Sequence, residues 1–164
     1  MVRHKVRYLL VQFDFEPQLV LEVPTNETLS LQKRIDSITR SDINQALREM
    51  ISSLFGLTST LVAYDLQVKI YDSEARIGII RVPRNMCDEV RGSLTIMTTL
   101  KGARVSVSVL AMHGSARTAR TSAIRQLRSS LLEQSMLSGR ESQKRQEKIF
   151  LHIEERLEKV RNMD

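Results

Sequence analysis

Val62-Ala-Tyr-Asp-Leu-Gln-Val-Lys-Ile70, then Asp72-Ser73-Glu74, then Ala75-Arg-Ile-Gly-Ile-Ile-Arg-Val82: the reading of this stretch decides the fold. In its first part Val62, Tyr64, Leu66, Val68 and Ile70 alternate with Ala63, Asp65, Gln67 and Lys69. A period of two is the mark of a strand with one dry face and one wet face. The second part is dense in Ile and Val and reads as another strand, so the short polar turn between them closes a hairpin. Gly78 in mid-strand marks a bulge or the close approach of another backbone.

Working outward toward the N-terminus, Ile43, Ala46, Leu47, Met50, Ile51 and Leu54 recur at i, i+3, i+4 and i+7, the stripe of an amphipathic helix. Ser41 is placed to cap it and Gly56 to stop it. Residues 16–40 show no sustained period and include Pro17, Pro24, Asn26 and several Ser and Thr, so they read as a long insertion. Residues 4–15 form a strand with Val6, Tyr8 and Leu10 on one face and Leu9, Val11, Phe13 and Phe15 on the other. Apolar residues on both faces indicate a central strand covered on both sides.

Toward the C-terminus, Pro83 opens a second helix where its missing N–H does no harm. Met86, Cys87, Val90, Met97 and Leu100 form its inner side, and Gly102 ends it. Residues 104–112 make a fourth strand, Val105, Val107 and Val109 inward, Ser106 and Ser108 outward. A further helix runs to about residue 135 with Ile124, Leu127 and Leu131 as its buried stripe. After Gly139 a last one carries Ile149, Ile153, Leu157 and Val160, a stripe expected to dock on a partner or on the open sheet face. The order β-α-β-β-α-β, under hairpin and crossover rules, leads to an α+β, ferredoxin-like (RRM-like) sandwich with an antiparallel sheet and additional C-terminal helices. Its first and third strands are central, and Val62, Leu66 and Val68 are buried with Val107 and Leu47. Residues 1–136 form the domain, and 140–163 the C-terminal amphipathic helix.

The chain has 164 residues, the length of one domain, and 25 Lys+Arg against 19 Asp+Glu give a net charge of +6. A basic surface favours an anionic partner, most simply nucleic acid. No apolar run approaches the ~20 residues that span a bilayer. Gln12, Asp14 and Glu16 interrupt the N-terminal apolar run and no small-residue cleavage site follows, so a signal peptide is not expected. The one cysteine, Cys87, has no internal disulfide partner, which suits a reducing compartment. It has no local basic activator and reads as a small core residue. His4, His113 and His152 have no Cys or carboxylate at ligand spacing, and no GxSxG, HExxH or P-loop motif occurs. Neither a catalytic residue nor a bound metal or cofactor is expected on this chain.

What the sequence does offer is Met112-His-Gly-Ser-Ala-Arg-Thr-Ala-Arg-Thr121, a strand-to-helix junction. Gly114 lets the backbone turn and Ser115 can cap the helix. The first two helical turns hold only Ser, Thr, Ala and Arg, and residues 115–132 contain no acid. Exposed N–H groups with Thr118 and the guanidinium forks of Arg117 and Arg120 suit a phosphate, and Arg125 and Arg128 extend the charge. Arg3, Lys5 and Arg7 share one face of the first strand and could grip a backbone, although a solvated strand end also accounts for them. A solvated basic helix start would account for the helix residues. The third strand offers no ring on either face, so RNA would be held through phosphates and shape rather than by the base stacking of RNA-recognition motifs.

Taken together, three segments resemble one family, the eukaryotic ribonuclease P/MRP protein subunit called "processing of precursor" five. They are Met1-Val-Arg-x-Lys-x-Arg-Tyr-Leu-Leu, Ile77-Gly-Ile-Ile-Arg-Val and His113-Gly-Ser-Ala-Arg-Thr, in the family's order. Ala116 stands where a larger apolar residue is usual in it, and His113 where Gly or Ser is common. The resemblance implies a non-catalytic subunit of an endoribonuclease whose catalyst is RNA, with metal ions on that RNA. It implies a role in 5′-processing of precursor tRNA and cleavage of precursor rRNA, supporting the catalytic RNA and the substrate leader. It also implies a TIM-barrel-like subunit and a small paralogous subunit as partners, no membrane, and a nuclear, largely nucleolar location. Two readings outside the family remain: a structural protein-interaction module without RNA contacts, and a small acylphosphatase-type enzyme of ferredoxin-like fold, against which the two added helices count.

Overall fold

The computed structural model describes residues 5–15, 26–56, 65–73, 75–137 and 151. Strand β1 (Val6–Phe15) lies in the middle of a five-stranded antiparallel sheet. It pairs on one side with β3 (Ile77–Pro83) and on the other with β5 (Ala103–His113). Strand β2 (Gln67–Asp72) extends the sheet beyond β3, and the two-residue β4 (Thr99–Leu100) pairs with the start of β5. The order β2-β3-β1-β5-β4 places the first and third strands centrally, as the hairpin pattern requires.

Three helices cover one face: α1 (Asn26–Asp36), α2 (Arg40–Phe55) and α3 (Cys87–Ile96). Leu9, Val11 and Phe13 of β1 and Val105 and Val107 of β5 meet Ile35, Ile43, Leu47, Ile51, Val90 and Leu94 there. Leu66 belongs to the same core, and Val68 packs against it. Fully burying one such side chain contributes roughly 1.5–3 kcal/mol, so this layer carries most of the stability. The other face holds Tyr8, Leu10, Ile70, Ile77 and Ile79, and α4 (Ala116–Leu137) covers it through Ala119, Ala123 and Leu127. The molecule is therefore an α+β ferredoxin-like sandwich whose second sheet face is also roofed.

Several expectations need correction. The insertion 16–40 contains α1: Leu31, Ile35 and Ile38 follow the i, i+4, i+7 rule over too few turns to stand out, and Ile35 and Ile38 are buried against the sheet. Thr39, not Ser41, caps α2. Its side chain accepts from the Asp42 N–H while the Asp42 carboxylate accepts from the Thr39 N–H, a reciprocal capping box. Gly56 does end α2, at φ 83°.

Strand β2 starts at Gln67 rather than at residue 62, and residues 57–64 lie outside the described ones. Its register slips between Val68 and Ile70, so Ile70 joins the α4-side core instead of the face of Leu66 and Val68. A bulge reverses the alternation that the sequence pattern assumes. Strand β3 starts at Ile77, not residue 75: Asp72 Oδ1 accepts from the Ala75 N–H at 3.1 Å, and Arg76 takes φ 56°, which keeps both residues in the turn. At Gly78 a Cβ would sit 3.2 Å from Phe13 Cε2 and 3.4 Å from the Ile70 carbonyl oxygen, the close approach its position suggested.

The helix expected from Pro83 to Gly102 is shorter. Pro83 is the last residue of β3, a 3₁₀ turn spans Arg84–Met86, and α3 ends at Ile96. Leu100 belongs to β4, and Lys101 and Gly102 form the tight turn into β5 with φ 53° and 79°. Positive φ at both positions is the hairpin geometry that Gly favours and that a helix excludes. The buried stripe of α4 is Ala119, Ala123 and Leu127, with Ile124 half-buried. Small side chains let this helix lie close on the sheet, so its alanines form the contact surface. The stripe at Ile149, Ile153, Leu157 and Val160 lies outside the described residues.

Candidate nucleic-acid interface

The β5–α4 junction is built as its residues dictate. The Thr118 N–H donates to Ser115 Oγ at 3.2 Å, the Thr118 hydroxyl donates to the Ser115 carbonyl at 3.0 Å, and the Ala119 N–H reaches the same carbonyl at 3.2 Å. Ser115 is thus the N-cap, and Thr118 is part of the cap. The amides of Ala116 and Arg117, orphaned by helix geometry, remain for an anion.

Arg7 reaches this junction from β1. Its guanidinium donates to the Val6 carbonyl at 3.2 Å and lies 3.9 Å from where a Gly114 Cβ would be. Arg117 is exposed, while Arg120 is half-buried where α4 meets the sheet. Arg125 and Arg128 are exposed farther along the same helix. At 1.5 Å rise per residue they stand about 12 and about 16 Å beyond Arg117, too far to share its phosphate. Lys5 is exposed just before β1, and Arg3 lies outside the described residues. The structure therefore brings Arg7, Gly114, Ser115, Arg117, Thr118 and Arg120 together, and spreads Lys5, Arg125 and Arg128 around them.

Two cations of this end were absent from the sequence reading. Arg81 sits opposite Tyr8, which itself sits opposite His113, so the three form a row across β3, β1 and β5. The Arg84 N–H donates to the Lys5 carbonyl at 2.9 Å, which sets Arg84 beside Lys5. Only strand pairing joins these residues, 79 positions apart in sequence for Lys5 and Arg84; no local signal could have found them. His113 Nε2 is buried without a hydrogen-bond partner.

The lone cysteine of the chain belongs to the core. The Cys87 thiol is buried, donates to the Pro83 carbonyl at 3.7 Å, and burial pushes its pKa up, away from the reactive thiolate. Among the described residues no three His, Cys, Asp or Glu side chains are grouped to hold a metal ion, and no helix is long and apolar enough to cross a membrane.

The family model described as the Rpp14/Pop5 family matches residues 7–124, from β1 through the cap and both junction arginines. The chain belongs to the Rpp14/Pop5 family. A relative in it, the Schizosaccharomyces pombe protein named ribonuclease P/MRP protein subunit POP5, is 30% identical over 133 residues, covering 80% of this chain and 91% of that one. A chain in the cryo-EM structure of yeast ribonuclease MRP is similar with a TM-score of 0.46 and 15% identity, over 71% of this chain and 79% of that chain.

Proposed function

We propose that this Rpp14/Pop5-family chain is a non-catalytic protein subunit of a ribonuclease P/MRP particle and binds RNA through phosphates at the β5–α4 junction. The observation that carries this reading is the family match over residues 7–124, which spans the cationic junction itself. The junction supplies what a phosphodiester needs: free helix-start amides, forked donors from Arg117 and Arg120, and Arg7 beside Gly114. Cleavage belongs to the RNA subunit and its metal ions. The protein braces that RNA and holds the leader of precursor tRNA, or precursor rRNA, by contacts that position without reading sequence. Its protein neighbours are a TIM-barrel-like subunit and a small paralogous subunit, in the nucleus and nucleolus. Leu110 and Met112, 38% and 50% exposed on β5 next to the junction, favour a protein contact beside the RNA.

Affinity capture of the tagged chain followed by RNA sequencing tests the assembly. Ribonuclease P or MRP RNA should dominate, whereas capture of proteins without RNA would favour the interaction-module reading. In a reconstituted particle, Arg117→Ala with Arg120→Ala should slow cleavage at limiting substrate and leave the cut bond unchanged. Each lost contact lowers the salt slope by roughly 0.7 for single-stranded RNA. Equal rates for parent and variant at two salt concentrations would reduce these arginines to a solvated face.

A further inference from the structure

We infer that the RNA-binding surface has a second arm at the end of β3, made by Lys5 and Arg84, so that one RNA backbone passes from the β5–α4 junction across the start of β1 to that corner. The inference rests on the RNA-binding reading and extends it to residues outside the junction.

The first support is placement. The Arg84 N–H holds the Lys5 carbonyl at 2.9 Å, and Arg7, on the same face of β1 as Lys5, lies beside Gly114 at the junction. The arms therefore stand on either side of β1, two strand spacings or about 10 Å apart. Tyr8 is buried on the opposite face of β1, so it offers no ring for a base along this path. What the surface offers along this path is donors and positive charge, the chemistry of a phosphodiester chain.

The second support is how the cations are used. Elsewhere in the molecule several cations are committed within the fold. Lys101 Nζ donates to Asp42 Oδ2 at 2.9 Å and to the Ser37 carbonyl at 3.1 Å, Arg40 donates to the Lys69 carbonyl at 3.1 Å, and Arg76 lies over the Phe15 ring at 5.5 Å. At the β3 corner, by contrast, the side chains of Lys5 and Arg84 are exposed and have no partner among the described residues. The acids nearest in sequence are Asp88 and Glu89, and Asp88 lies 3.8 Å from Arg91. Gathering like charges without counter-ions costs stability. An anionic ligand supplies the compensation that the described residues do not.

The test uses the full chain with two labelled probes of equal length, a single-stranded RNA and an RNA duplex, and measures affinity against salt concentration. Lys5→Ala with Arg84→Ala keeps the backbone bond between these residues and removes only exposed side chains. It should lower the salt slope by about 1.4 with the single strand, two contacts at roughly 0.7 each. Arg84→Lys, which keeps the charge, should restore about half of that loss when combined with Lys5→Ala. Thermal unfolding should fall no lower than in the parent, since removing uncompensated like charges does not weaken the fold. Combination with Arg117→Ala and Arg120→Ala should add the two losses. A loss seen only with the duplex would keep the site and assign it a paired strand. If Arg117→Ala/Arg120→Ala lowers the slope and Lys5→Ala/Arg84→Ala does not, with either probe, the second arm is wrong while the RNA-binding reading stands. If neither pair lowers it, both fail. A quadruple variant no weaker than one pair would overturn the single continuous path.

Discussion

Asp42 takes three hydrogen bonds on one carboxylate. It accepts from the Thr39 N–H at 2.8 Å, the Thr39 hydroxyl at 2.7 Å and Lys101 Nζ at 2.9 Å, tying the start of α2 to the β4–β5 turn. The Thr39 hydroxyl first, then Lys101 and the Thr39 N–H, hold its pKa at about 2 against an ordinary 3.8. Because the folded value is depressed, this stability is present above about pH 4 and is lost as pH falls toward 2. Asp42→Asn should therefore lower Tm at pH 7 and flatten the acid limb between pH 4 and 2, measured by thermal melts. Thr39→Ala, which removes the cap, should cost about 1 kcal/mol. Tyr71 presents the opposite case. Its ring meets Phe13 edge-on at 5.5 Å, its hydroxyl is buried without a partner, and burial pushes its pKa up to about 12. Tyr71→Phe should stabilise the fold by about 1 kcal/mol, because an unsatisfied hydroxyl disappears while the ring contact stays. It should also remove the loss of stability that the parent shows as pH rises from 10 to about 12. An unchanged denaturation midpoint and alkaline limb would mean that the hydroxyl is satisfied.

Helix α4 shows why an element can be found correctly and faced wrongly. Gly114 and Ser115 announce its start in the sequence, and Ser115 is its cap. The stripe Ile124, Leu127 and Leu131 weights large side chains, yet Ala119 and Ala123 are fully buried against the sheet. Alanine carries little hydrophobic signal, and its role here is the close approach it permits. Ala123→Leu should thus destabilise by roughly 1–3 kcal/mol through overpacking, seen as a lower urea midpoint. A neutral result would mean that α4 rides higher on the sheet. The same principle hid α1 and β4. Each is short, and each is held by tertiary contact: α1 by Ile35 in the core, β4 by pairing with Ala103 and Arg104.

At the scale of the molecule, cations are sorted by use. Lys101 is spent on Asp42 and a carbonyl and Arg76 on a ring, while Lys5, Arg84 and Arg117 around the start of β1 are exposed. If Arg117, Arg120, Lys5 and Arg84 each take one phosphate, binding of single-stranded RNA by the full chain should follow a log–log salt slope of about −2.8. Affinity should vary little among sequences of equal length, since phosphate contacts carry no base information. A slope near zero, or strong preference for one sequence, would contradict a backbone-holding surface. The chain alone should leave precursor RNA intact in a gel assay with magnesium, because the chemistry is assigned to RNA.

Local pattern determined a great deal here. Periods of two and 3.6 gave the hairpin, the central position of β1, helix α2 and the inward valines of β5, since each depends on residues a few positions apart. The cap at Ser115 and the turn at Gly114 were legible for the same reason. Tertiary structure alone decided the slip of Ile70 to the other face, the two-residue turn at Lys101-Gly102 and the alanine face of α4. It alone also brought Arg7 to Gly114 and Arg84 to Lys5. Sequence records which residues can share a face. Which faces and chain ends meet is set by the pairing of strands far apart in the chain, where a bulge or a carbonyl partner moves a side chain without altering any local pattern.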